Sequence, residues 1–181
     1  MPQRAEIDAG IADATLALLR SRGPRAVTVE AVAATSGIAK TTIYRRYRDR
    51  RDMLAVTLSR VTTSEPLGPD ADPPDRLRWL ISEAVKAIDA GIGFGGFAAM
   101  LTDEDPEFTK LFRRILDDQR AELESVIEAS KADGSFRADL DGETFVDAVV
   151  GAHIAERART GRLAPKWEAR LFDLFWPIVK P

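Results

Sequence analysis

At 181 residues, 45% hydrophobic and 30% charged, the chain has an ordinary globular composition, with room for one large domain or two small ones. It contains no cysteine, which excludes a disulfide framework and any thiolate metal site. The net charge of −3 argues against a nucleic-acid partner only until its distribution is read: residues 1–60 carry eleven Lys and Arg against six Asp and Glu, so the acidic excess lies wholly in the remainder.

The spacing predicts a first helix over about Pro2 to Arg22, with Ile7, Ile11, Ala14, Leu18 and Leu19 on one face and Gly23-Pro24 as its stop. The opening run MPQRAEIDAG has no signal-peptide core, and a cytoplasmic location is expected. Thr28 to Leu54 then reads as a helix-turn-helix followed by the start of another helix. Val29, Val32 and Ala33 form an inner face behind Thr28 as N-cap, and Gly37 is placed for a left-handed turn. Ile43 and Tyr47 face inward on the second helix, which leaves Lys40, Thr41, Thr42, Tyr44, Arg45 and Arg46 outside. Six basic residues between Lys40 and Arg51 meet only one acid, Asp49. A basic, hydroxyl-rich second helix after a tight turn is what a DNA major groove admits. Asp49 is the expected N-cap of a fourth helix over about 50–63.

This run resembles the DNA-binding head of tetracycline-repressor-type (TetR family) transcriptional regulators over roughly residues 5–55. Thr28, Val32-Ala33, Ser36-Gly37-Ile38, Tyr44, Tyr47, Arg50 and Leu54 stand in the family's order and spacing. Two positions depart from it. Ala39 opens the recognition helix where the family often has a capping Ser, and Arg50 stands where Lys is usual, keeping the charge and adding a forked donor.

Residues 64–75, SEPLGPDADPPD, hold four of the ten prolines and are read as a linker between a DNA-binding domain at 1–63 and a second domain at 76–181. In that second part a helix from about Pro74 to Ala90 carries Leu77, Leu80, Ile81, Ala84, Val85 and Ile88 on one face, with Trp79 at its margin. The twelve-residue apolar stretch from Ala90 to Leu101, broken by four glycines, is too short to span a bilayer. Its Gly91-Ile92-Gly93-Phe94-Gly95-Gly96 lacks the strand and the Gly-Lys-Ser/Thr of a phosphate loop, so it is read as a flexible connection into a short helix, Phe94 to Leu101. Asp105-Pro106-Glu107 fits an N-cap, N1 proline and first-turn acid better than a metal site. A long helix follows to about Asp133. Asp141 caps the next, which ends at Gly161, and a last helix runs from about Pro165. With no alternating period-2 segment and no internal repeat, an all-α fold of about nine helices is expected.

The residue chemistry places Lys40, Thr41, Thr42 and Arg45 at base edges, and Thr28, Tyr44, Arg46 and Arg50 at phosphates. A helix-turn-helix reading a palindrome requires a two-fold dimer. The resemblance implies that the last two helices pair with their symmetry mates, with Phe145, Val149, Ile154, Leu171, Phe175 and Ile178 as contacts. It also implies a pocket for a small, apolar or amphipathic effector among Trp79, Phe94, Phe97, Met100, Phe108 and Phe112, residues that on spacing alone read equally as core. His153, the single histidine, is either a core or interface residue or a polar handle for that effector. The function expected is a ligand-responsive repressor that binds a palindromic operator as a homodimer. The alternative is a helical architectural or interaction protein that binds DNA without a ligand switch. Neither a nucleophile motif nor a cofactor-binding motif is present, so no catalytic residue, metal ligand or cofactor is assigned, and no membrane partner is expected.

Overall fold

A computed structural model describes residues 2–68 and 70–181; Pro69, inside the expected linker, lies outside the described residues, as does Met1. The described residues contain helices and turns and no strand. Helix α1 (Pro2–Arg22) buries Ile11, Ala14, Leu18 and Leu19 and ends at Gly23, whose φ of 77° leads into a 3₁₀ turn at Pro24–Ala26. Helix α2 (Val29–Ser36) starts where Thr28 Oγ1 accepts the Ala31 amide at 3.0 Å, and it ends at Gly37, left-handed at φ 72°. A cap of this kind contributes about 1 kcal/mol. Helix α3 (Lys40–Tyr44) has no side-chain cap, because Ala39 can supply none. Helix α4 (Arg50–Thr62) opens on Asp49, whose carboxylate accepts the Asp52 amide at 2.8 Å.

Helix α5 (Pro73–Lys86) does not reach Ala90. It passes into a π-helical turn, Ala87–Ile92, in which Gly91 leaves helical geometry, and then into α6 (Gly93–Leu101). The glycine-rich stretch expected as a flexible connection is thus mostly helical. Its carbonyls are held by Arg20, which donates Nε to Gly91 O at 3.0 Å and Nη2 to Ala90 O. By length and composition the run Pro73–Leu101 would suffice to cross a bilayer, but core helices pass the same test, and Leu77, Leu80, Ile81, Ile88 and Ile92 are buried within the protein. Helix α7 (Pro106–Ala132) is capped by Asp105, which accepts the Phe108 amide at 3.1 Å. Helix α8 (Gly142–Thr160) is capped by Asp141, and α9 (Trp167–Val179) begins two residues later than Pro165, after Lys166 at φ 61°.

By internal contact the chain groups into two compact units that do not follow its order. The first comprises Met1–Thr63 and Ala87–Leu116, the second Ser64–Lys86 and Asp117–Pro181. Residues 87–116 thus group with the N-terminal helices rather than with the rest of 76–181, because α6 packs on α1 and the π-turn packs on α4. At Gly93 and Gly95 an added Cβ would lie 2.9 Å from the Arg20 Cγ and 3.1 Å from the Arg20 carbonyl oxygen, and Gly93 is also at φ 66°. In the second unit α5 packs against α8 and α9, and the core joins Leu77, Leu80, Leu123, Ile127, Val149 and Trp167. Phe136 and Leu140 enter it from the connection after α7, where the Arg137 amide donates to Val179 O at 2.9 Å. Two residues at the start of the proline-rich stretch are held: Trp79 Nε1 donates to Glu65 O at 2.8 Å and Ser64 Oγ to Glu122 at 2.8 Å.

Candidate nucleic-acid interface

The recognition helix is short, so its orientation comes from anchors rather than from length. Ile43 on α3 is fully buried, and Tyr47, expected on the same helix but lying just past its end, is nearly so; together they anchor α3 and the turn after it. Burial, followed by the negative charge of Asp8, raises the Tyr47 phenol above its ordinary pKa and keeps it neutral. With these two turned in, Thr28, Lys40, Thr41, Tyr44 and Arg45 are exposed and Thr42 is half-buried. Tyr44 is 52% exposed, high for an aromatic ring. Lys40 Nζ lies 3.3 Å from Glu30, in the first turn of α2. The Glu30 carboxyl is held below its usual range by its own backbone amide and then by Lys40.

Arg46 is turned partly inward and donates Nε to Asp8 Oδ1 at 2.6 Å, which aims the rest of its guanidinium. Arg45 and Arg46 line an open hollow of about 360 Å³ with Ile7 and Arg4. Arg4 was not among the residues selected from the sequence. The available signal was its position four residues before Asp8 on one helix face, on a helix whose polar side gave no other reason for attention.

Arg50 is placed differently from the expectation that it clamps phosphate. Its Nε donates to Val27 O at 2.6 Å, and Nη2 donates to Pro24 O at 2.7 Å and to Asp105 at 2.5 Å, while Nη1 reaches Glu107 at 3.3 Å. Four of the five guanidinium N–H bonds point into the protein.

The residues expected around an effector fall in both units. Phe94, Phe97, Met100, Phe108 and Phe112 belong to the first, where Phe108 and Phe112 are fully buried and stacked with centroids 5.8 Å apart. The same unit holds two buried hydroxyls, Thr57 and Thr109, without a hydrogen-bond partner in the protein. Trp79 and His153 belong to the second, where His153 is fully buried and meets Trp167 edge-on at 5.3 Å. Two hollows in that unit are lined by other residues. One of about 290 Å³ is lined by Leu140, Phe145, Ala148, Phe175 and Ile178, and one of about 370 Å³ by Arg78, Ile81, Phe172 and Asp173. No cluster of three or more His, Asp or Glu among the described residues could hold a metal ion.

Of the residues expected at a dimer face, Phe145, Val149 and Leu171 belong instead to the core of their own protomer, because each lies on the inner face of its helix. Ile154 and Phe175 are half-buried, and Ile178 is 47% exposed. Leu174, absent from the expected set, is 59% exposed.

Residues 11–57 match the family described as bacterial regulatory proteins, tetR family. No curated protein matches the sequence. Among solved structures, one from Rhodococcus sp., described as a TetR-family transcriptional regulator, aligns with a TM-score of 0.75 at 19% identity, covering 98% of this chain and 100% of that one. A structure from Saccharomonospora viridis, described as a transcriptional regulator in complex with choline, gives 0.66 at 19% identity over 97% and 98%. The transcriptional regulator FadR from Bacillus subtilis, in complex with stearoyl-CoA, gives 0.64 at 15% identity over 92% and 96%. Residues 11–57 thus carry the helix-turn-helix segment of the tetR family, and over nearly its whole length the chain shares the fold of these regulators.

Proposed function

We propose that this chain is a TetR-family, ligand-responsive repressor that binds a palindromic operator as a homodimer and is released by a small-molecule effector. The observation that carries the reading is the surface of α3 and its C-terminal turn, where Lys40, Thr41 and Arg45 are exposed while Ile43 and Tyr47 are buried. Lysine and arginine suit guanine edges and the threonines suit thymine methyls, while Thr28, Tyr44, Arg46 and Arg4 surround that face as phosphate contacts. The basic excess of residues 1–60 confines attraction for DNA to this end of the sequence.

Dimerisation is assigned to the outer faces of α8 and α9, where Leu174 and Ile178 are exposed and Ala148, Gly151 and Ala155 allow close approach. Choline and stearoyl-CoA in two proteins of this fold support a small-molecule effector, and stearoyl-CoA supports an amphipathic one. An apolar interior carrying the unpartnered hydroxyls of Thr57 and Thr109 suits such a molecule, because buried hydroxyls are ordinarily satisfied. The effector releases DNA by binding the non-operator conformation more tightly. A chromosomal target puts the protein in the cytoplasm.

Selection of bound duplexes from random DNA tests the reading. A recovered palindrome with two half-sites about one helical turn apart is expected, and recovery of no sequence preference would overturn it. Melting against choline and long-chain acyl-CoA tests the effector. A ligand at about 100 times its Kd raises stability by about 2.7 kcal/mol.

A further inference from the structure

We propose that Arg50 is a positioning residue for operator recognition: it is a cross-brace between the start of α7 and the entry to the helix-turn-helix, and it does not contact phosphate. The proposal rests on the DNA-binding reading of the head. Arg50 stands at the first position of α4 with its guanidinium directed into the protein. Its two carbonyl acceptors, Pro24 and Val27, bracket the turn that delivers Thr28, and Thr28 is the N-cap that starts α2. Its acidic acceptors, Asp105 and Glu107, flank the first residue of α7. One carboxylate therefore has two tasks: Asp105 Oδ1 caps α7 through the Phe108 amide, and Oδ2 holds Arg50.

Two physical features set this arginine apart from Arg45. Asp105 and Glu107 give the site one negative charge more than the guanidinium neutralises, so a phosphate approaching it meets repulsion. The pair is also sheltered, with side-chain exposures of 23% for Arg50 and 12% for Asp105, where an ion pair is geometrically committed in a way that an exposed pair is not. A planar fork that meets two carbonyls and two carboxylates fixes direction as well as distance, which a lysine at the same position could not do.

The test is the salt dependence of DNA binding by full-length variants, measured by fluorescence anisotropy on a duplex recovered with the unsubstituted protein, between about 50 and 200 mM salt. Asp105→Asn removes an acid, which by charge alone would tighten DNA binding. The brace predicts the opposite sign: binding about tenfold weaker with the salt slope unchanged. Arg50→Ala is expected to weaken binding similarly with the same slope, and the double variant to be no weaker than the worse single one. Unchanged or tighter binding by Asp105→Asn would overturn the proposal, as would a slope reduced by about 0.9 in Arg50→Ala, the signature of one lost phosphate contact. If Arg50→Ala does not fold, Asp105→Asn still decides by its sign. Failure of the unsubstituted protein to select any duplex sinks the DNA-binding reading instead.

Discussion

Arg46 and Asp8 join the residues after the recognition helix to α1 through one 2.6 Å hydrogen-bonded ion pair, with side-chain exposures of 15% and 21%. The pair is too sheltered to count as a surface bridge and too exposed to count as a core one. Asp8→Asn should therefore lower the unfolding free energy by about 1–2 kcal/mol, read from denaturant titration. The Tyr47 phenol should also ionise at lower pH in this variant, since Asp8 is the second cause of its raised pKa. Burial, the first cause, remains, so the phenol should still titrate above its ordinary value. An absorbance titration of phenolate checks both statements.

Arg45, at the C-terminal end of α3, is exposed and pairs with no acid among the described residues, whereas Lys40 must leave Glu30 to reach a base. Arg45→Ala should cost about 1–3 kcal/mol of operator binding and relax the preference at one position of each half-site. Lys40→Ala should cost less, because breaking the Lys40–Glu30 pair offsets part of the gain. Gel-shift titration on matched and single-mismatch duplexes measures both, and equal affinity of both variants with the unsubstituted protein would remove α3 from the reading role.

Leu174 and Phe145 separate assembly from folding. Leu174→Asp with Ile178→Asp alters exposed positions and should leave the protomer fold intact while weakening self-association by a hundredfold or more, about 2.7 kcal/mol, visible in sedimentation. Phe145→Ala, buried and edge-on to Phe175 at 5.2 Å, should instead cost about 3–5 kcal/mol of protomer stability.

Acid sensitivity follows from the carboxylates at helix ends. Asp133 is lowered to about 2, first by the Ser135 side chain and then by Arg76, and Asp141 is lowered by the Thr144 amide and hydroxyl. A depressed folded pKa means that the unfolded chain binds more protons between the two values, so stability rises with pH there. The contribution is complete above the ordinary aspartate value of 3.8 and disappears as the pH falls toward about 2. Asp133→Asn should flatten the melting temperature against pH across that window and leave its dependence above pH 5 unchanged.

What the sequence disclosed and what it withheld divide by range. Helix ends were legible because their causes are local: Thr28, Asp49, Asp105 and Asp141 each accept an amide three residues on. Ile43 and Tyr47 were both expected inward on one helix; both are buried, but α3 ends at Tyr44, so Tyr47 reaches the core from the turn beyond it. The role of Arg50 was not legible, because its carboxylate partner lies 55 residues away and no period connects them. Three of the six residues expected at a dimer face lie in the core for a related reason. Periodicity reports that Phe145, Val149 and Leu171 share apolar faces, but which of two apolar faces turns inward is decided by neighbouring helices, here α5 in particular. The π-turn was hidden because glycines at 91, 93, 95 and 96 suggest looseness, whereas the Ala90 and Gly91 carbonyls are held by Arg20.

The contact of Arg20 with Gly93 and Gly95 has a mechanical consequence. Ordinary helix contacts contain side chains that can change rotamer and absorb a small displacement. Here the stem and the carbonyl of Arg20 meet bare backbone: a methyl group at Gly93 would overlap the stem, and one at Gly95 would need the carbonyl to give by a few tenths of an ångström. A displacement of α6 toward α1 meets the Arg20 stem and carbonyl at close range, so little of it can be absorbed before the last turn of α1 moves. In this joint the smallest residues supply the stiffness.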